Sequence, residues 1–184
     1  MGENTQGDKM HKVEADVELD VPISRAYDQW TQFEEFPRFM EGVESVTQVD
    51  DTHLHWVAEV AGKRLEWDAK IVEQEPDRII SWKSTSGPIN NGAVVFEVLE
   101  PGRCRIGLTM TYAPETFTEK VGSALGVVKA RVAADLKRFK EFIEGRAVPT
   151  GAWRGEVHDG RKGAQPLGRT GMTPADALQN RRKD

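Results

Sequence analysis

Four groups of residues in the chain are of types that do chemistry. His53 and His55 lie two apart in a run alternating apolar and polar, so they share one face of a strand. A metal site would need a third ligand, and both histidines fall opposite Leu54 and Trp56, toward water. No metal or other cofactor is expected. Glu66 and Asp68 share a face in the same way, opposite Trp67. Paired carboxylates divide acid and base roles when their surroundings differ, but on the outer face of a sheet both are simply solvated. Cys104 is the only cysteine, which excludes an intrachain disulfide, and its parity points inward, as befits a structural thiol. Tyr112, Ser84, Asn90 and Asn91 form the last group: a phenol that would donate, and small polar groups that would orient or polarise a carbonyl. Tyr112 is the one catalytic candidate. No nucleophile elbow, phosphate-binding glycine loop or paired C-x-x-C occurs.

The elements that must position these groups are written in the hydrophobic periodicity. Val13, Ala15, Val17, Leu19 and Val21 alternate with Glu14, Asp16, Glu18 and Asp20, the period-2 pattern of a strand with one wet face. Pro22 then opens a helix carrying Ile23, Ala26, Tyr27 and Trp30, and a second short helix is predicted from about Glu34 to Met40. From Val43 to Tyr112 six strands follow, separated by Asp50-Asp51, Ala61-Gly62-Lys63, Glu75-Pro76-Asp77, the loop Ser86–Gly92 and Pro101-Gly102. Such short Gly/Pro punctuation predicts antiparallel hairpins throughout. A long amphipathic helix closes the pattern from Phe117 to Glu144. Thr116 and Glu119 have capping-box spacing, Val121, Leu125, Val128, Val132, Leu136, Phe139 and Ile143 make one stripe, and Gly145 is the stop.

A single helix stripe has one large apolar partner available, the inner face of the seven-stranded sheet. A curved antiparallel sheet around one helix is an α+β architecture, and it encloses space. Parity turns Trp56, Trp67, Trp82, Phe96, Met110 and Tyr112 inward, while Phe36, Phe39 and Met40 should close one end. Leu125, Val128 and Val132 would complete the lining, with Ser84 and Asn90 as its polar points. Gly122 and Gly126, four apart on the helix, would either thin it beside a ligand entrance or pack closely on a neighbouring segment.

The chain reads as three parts: a polar N-terminus over 1–11, a domain over 12–144, and a flexible basic Gly/Arg-rich tail over 145–184. Net charge is −5, yet eight Lys/Arg face four Asp/Glu from Gly145 onward, leaving an acidic body that argues against nucleic acid as a partner. No apolar run approaches the ~20 residues that span a bilayer, and no apolar segment of a secretory signal follows Met1, so the expected compartment is the cytoplasm. Residues 173–182 include Thr173-Pro174, the start of a helical turn that would dock a protein partner.

The order strand, two short helices, six-strand meander and long helix resembles the helix-grip arrangement. The residues sharpen that likeness. Val21-Pro22-Ile23, Ala26-Tyr27, Trp30 and Phe36-Pro37-Arg38-Phe39-Met40-Glu41-Gly42-Val43 resemble the opening signature of the polyketide cyclase/dehydrase and coenzyme Q-binding START-like branch of the SRPBCC superfamily. Ile80-Ser81-Trp82 and Asn91-Gly92 fall where that family has similar residues, and the resemblance covers about residues 12–144. It implies a hydrophobic cavity for a lipophilic or aromatic guest (polyketide, quinone or lipid-like) held by a carrier without chemistry of its own. It also implies two alternatives, an aromatase/cyclase-like enzyme and a scaffold docking a partner through its tail. A cyclase would want an arginine or a carboxylate in the lining, and the sequence pattern places neither there.

Overall fold

The computed structural model describes residues 10–60, 62–113 and 124–163. Seven strands, β1 (His11–Leu19), β2 (Val43–Gln48), β3 (His53–Val60), β4 (Lys63–Glu75), β5 (Ile79–Ser86), β6 (Asn90–Glu100) and β7 (Arg103–Tyr112), form an antiparallel sheet in the order β1-β7-β6-β5-β4-β3-β2. Each predicted hairpin is present, and β1 returns to pair with β7. Register shifts in β2, β4 and β6 mark bulges, which bend strands and raise their twist, so the sheet curves instead of lying flat. Asp50 tightens the β2–β3 turn by accepting from the backbone N–H of Thr52 and His53 at 2.8 and 2.9 Å.

Between β1 and β2 lie α1 (Ile23–Trp30) and a 3-10 helix, Phe33–Arg38. Pro22 occupies the N-cap of α1. The second helix is tighter and shorter than the predicted Glu34–Met40, and Pro37 inside it accounts for that, since proline cannot donate to an α-helical ladder. The long helix α2 is described over Ala124–Glu144. The predicted start at Phe117, the Thr116/Glu119 box, Val121 and Gly122 lie outside the described residues. Among the described residues no helix is long and apolar enough to cross a membrane.

Val128, Val132, Leu136, Phe139 and Ile143 of α2 are all buried against the sheet, as the stripe requires. The sizes along it are unequal. Toward Glu144 the stripe carries Phe139 and Ile143, and the interior fills: Phe139 sits 5.0 Å from both Trp30 and Phe39, and Tyr27 meets Phe96 edge-on at 5.2 Å. Toward Ala124 the described residues of the stripe are Val132 and Val128, and the interior opens.

The flexible tail predicted from residue 145 is corrected over its first part. Residues 146–163 pack on the body. Gln29 of α1 and Thr150 exchange two hydrogen bonds of 2.9 and 3.0 Å, and the Trp153 N–H donates to Thr31 Oγ1 at 3.0 Å. Arg154 bridges Asp28 and Asp77 at 2.5 and 2.6 Å. A small hairpin, β8 (Val157–His158) and β9 (Arg161–Lys162), adds to the sheet beside β4 and buries Val157 completely. What holds this strap is a set of polar bonds to α1 and the β4 edge, which leaves no apolar period in the sequence. Residues 164–184, with the docking segment 173–182, lie outside the described residues.

Candidate ligand-binding site

The open half of the interior is a cavity of about 520 Å³. Ligand pockets run to about 300–1,000 Å³. Its sheet wall is aromatic. Trp56 and Trp67 pair across β3 and β4 and stack nearly parallel, with centroids 5.6 Å apart at 9°. Phe36 reaches Trp56 at 5.7 Å from the 3-10 helix. Trp82 and Met110 continue the wall on β5 and β7, Met40 covers one side, and Val128 and Val132 of α2 form the opposite wall. The void follows from these sizes: the sheet offers large aromatic side chains here, but the buried apolar residues facing them on α2 are Val128 and Val132, with Leu136 beyond them toward Glu144.

Nine of the residues expected to line the cavity do so: Phe36, Met40, Trp56, Trp67, Trp82, Asn90, Met110, Val128 and Val132. Four do not. Phe39 is spent on the filled end, against Phe139 and Phe142. Phe96 points inward but sits too far along β6, against Tyr27. Tyr112 is buried with its ring 5.7 Å from His11, and burial pushes its hydroxyl above the ordinary value. Tyr112 is not among the residues that line this cavity. Ser84 is used by the β5–β6 connection, where its backbone N–H donates to Asn91 Oδ1 at 3.0 Å and its Oγ accepts from the Asn90 N–H at 3.2 Å. Leu125 lies in the first turn of α2, with its side chain outside the described residues. Gly126 is exposed, and among the described residues a Cβ there would meet nothing within 4 Å.

The lining also contains what the sequence pattern did not place there. Glu41, Arg131 and Asp135 edge the cavity beside Val127, which is 66% exposed and marks the mouth. These groups fasten the loop after the 3-10 helix to α2. Arg131 donates through Nε to the Glu41 carbonyl at 3.1 Å and through Nη2 to the Glu59 carbonyl at 3.3 Å. Asp135 Oδ1 accepts from the Glu41 N–H at 2.9 Å and pairs with Arg138, whose Nε donates to the Phe39 carbonyl at 2.9 Å. Gly42 makes the arrangement fit: its φ is +77°, and a Cβ would run into the Arg131 guanidinium and the Glu59 carbonyl. Burial holds the Asp135 carboxyl above the usual carboxylate value, against the opposing pull of the Glu41 N–H and Arg138. The signal was present in the spacing: 131 and 135 flank 128 and 132 on the helix and share their side of it.

The remaining reactive groups make local contacts on the outer face or are buried in the core. His53 bonds Asp50 and His55 bonds Asp68 at 2.9 and 2.8 Å on the outer face. Bonds from the Thr52 N–H and then His53 draw the Asp50 carboxyl down to about 2. Asp68 is lowered by Ser86 and then His55. Cys104 is fully buried, and burial pushes its thiol up to about 11, so it is neutral and unreactive.

A protein of Streptomyces lincolnensis, described as an uncharacterised 17.2 kDa protein, is 48% identical over 149 residues, 80% of this chain and 99% of its own length. Among solved structures, a Deinococcus radiodurans protein superposes with a TM-score of 0.59 at 25% identity, covering 74% of this chain and all of its own. A Streptomyces aromatase/cyclase gives a TM-score of 0.59 at 18% identity over 75% of this chain and 97% of its own, which is a likeness of fold. Residues 19–141, from the end of β1 through most of α2, match the family described as polyketide cyclase/dehydrase and lipid transport, and the chain belongs to that family.

Proposed function

We propose that this protein binds a lipophilic or aromatic small molecule in the cavity between α2 and the sheet, as a carrier or accessory without chemistry of its own. The observation that carries the reading is the void itself, an aromatic wall facing short valines with a polar mouth at one side. At about 25 cal/mol per Å², a bicyclic guest hiding on the order of 250 Å² gains roughly 6 kcal/mol before the cost of immobilisation, against the roughly 4 kcal/mol net that millimolar binding and the roughly 8 kcal/mol net that micromolar binding require, so polar contacts must add to the apolar term for tight binding. Titration with quinones, polyketides and fatty acids should give a saturable quench of tryptophan emission, weakened by Trp82→Ala. A flat response across all three classes overturns the reading.

One observation favours a second reading, a ring-closing or dehydrating enzyme. Arg131 and Asp135 stand in the lining, and such chemistry asks for a cation to polarise a carbonyl and an acid–base group to move a proton. Asp135 is suited to the latter because burial favours its neutral form. Incubation with a poly-β-ketone thioester should then yield a product distribution absent from the uncatalysed control, and Asp135→Asn should restore the control distribution. Identical mixtures with and without wild-type protein exclude catalysis.

A further inference from the structure

Trp82 is held differently from the other two tryptophans of the wall. Trp56 and Trp67 lean on each other, whereas Trp82 is seated on the neighbouring strand β6. Its six-membered ring occupies the place of a side chain at Gly92, where a Cβ would lie 2.5 Å from Cζ2 and 2.8 Å from Cη2. Its Nε1–H donates to Asn90 Oδ1 at 3.2 Å. Asn90 and Gly92 are two apart on one strand and therefore share a face, so the indole is fixed at two points. The indole nitrogen only donates, which assigns the Asn90 oxygen to Trp82 and turns the amide NH2 away from it. That NH2 makes no hydrogen bond among the described residues, and Asn90 lines the cavity.

We propose that Gly92 is the specificity-determining position of this cavity. Left bare, it lets Trp82 lie back on β6 as a rigid aromatic wall with one amide N–H donor at its edge. Such a corner selects flat conjugated molecules with a carbonyl at the ring edge over flexible chains of similar apolar area. A fixed wall discriminates by shape because it does not yield, and its rotamer entropy is already spent before binding. A side chain at 92 drives the indole into the cavity and removes the flat slot, while a flexible chain bends around it. The inference rests on the cavity being the binding site, as proposed above.

Calorimetric titration of three compounds into the full chain tests it: menadione, 2-methylnaphthalene with the same rings and no carbonyl, and dodecanoate. Wild type should prefer menadione to both. Gly92→Ala should weaken menadione at least tenfold and dodecanoate less than threefold. A Cβ at 92 also approaches the Thr109 carbonyl at 2.7 Å, so Trp82→Leu, which leaves Gly92 intact, serves as the second variant and should abolish the preference for menadione. If wild type prefers menadione and both variants keep the ranking, the Gly92 inference is overturned and the cavity reading stands. If none of the three binds wild type, the cavity reading fails and this inference falls with it.

Discussion

The two halves of the interior are made of the same kinds of residue and end in opposite states. Near the end of α2, Phe39, Phe139 and Phe142 meet ring on ring with one another and with Trp30 at 5.0–6.5 Å and fill the space between them. Near its start, Trp56, Trp67 and Trp82 face about 520 Å³ of space. Aromatic content therefore does not decide whether a sheet and a helix make a core or a pocket. The deciding term is the volume supplied by the helix, Phe139 and Ile143 on one side and Val128 and Val132 on the other.

The sharpest way to break this comparison is to truncate each half and compare losses. Phe139→Ala should cost about 3–5 kcal/mol of unfolding free energy in urea titrations, since its neighbours cannot collapse around the vacancy. Val128→Ala should cost no more than about 1.5 kcal/mol, because its methyls already border open space. Equal losses would erase the distinction.

Enlargement should give the opposite asymmetry. Ile143→Phe overpacks the filled end and should cost about 1–3 kcal/mol, whereas Val132→Phe grows into the cavity and should leave the thermal midpoint unchanged or higher. At the mouth, Gly42→Ala puts a Cβ at positive φ against Arg131 and should cost roughly 1–2 kcal/mol. A smaller loss would mean that Arg131 does not fix the loop.

The smallest effect concerns Asp135. Its folded value is raised by burial, so its contribution to stability is full below the unfolded-chain value near about 4 and is lost as pH rises through the folded value. Asp135→Asn, fixed neutral, should therefore gain on wild type at pH 7, and that gain should vanish toward pH 4. A gain that grows as pH falls would reverse the assignment.

Much of this was legible in the sequence because both periods of regular structure were intact. Alternation from Val13 to Tyr112 set the strands and their faces, and the α2 stripe set which helix side is buried. Parity, however, gives a face and not a depth along the strand, and for that reason Phe96 and Tyr112 were expected beside Trp82 and Met110. Arg131 and Asp135 were overlooked because charged residues flanking an apolar stripe read as solvent-facing. Here their partners are the backbone groups of Glu41 and Glu59, which no residue pattern displays. The strap over 146–163 was hidden for the same reason, since Gln29, Thr31 and Asp28 hold it by side-chain hydrogen bonds and a salt bridge.

The most direct test of the account is calorimetric titration of menadione into wild type and Val132→Phe, both first shown to be folded. The account predicts saturable one-site binding to wild type and at least a tenfold loss in the variant whose added ring occupies the space opposite the tryptophans. Equal affinity in the two proteins would place the ligand elsewhere and contradict it.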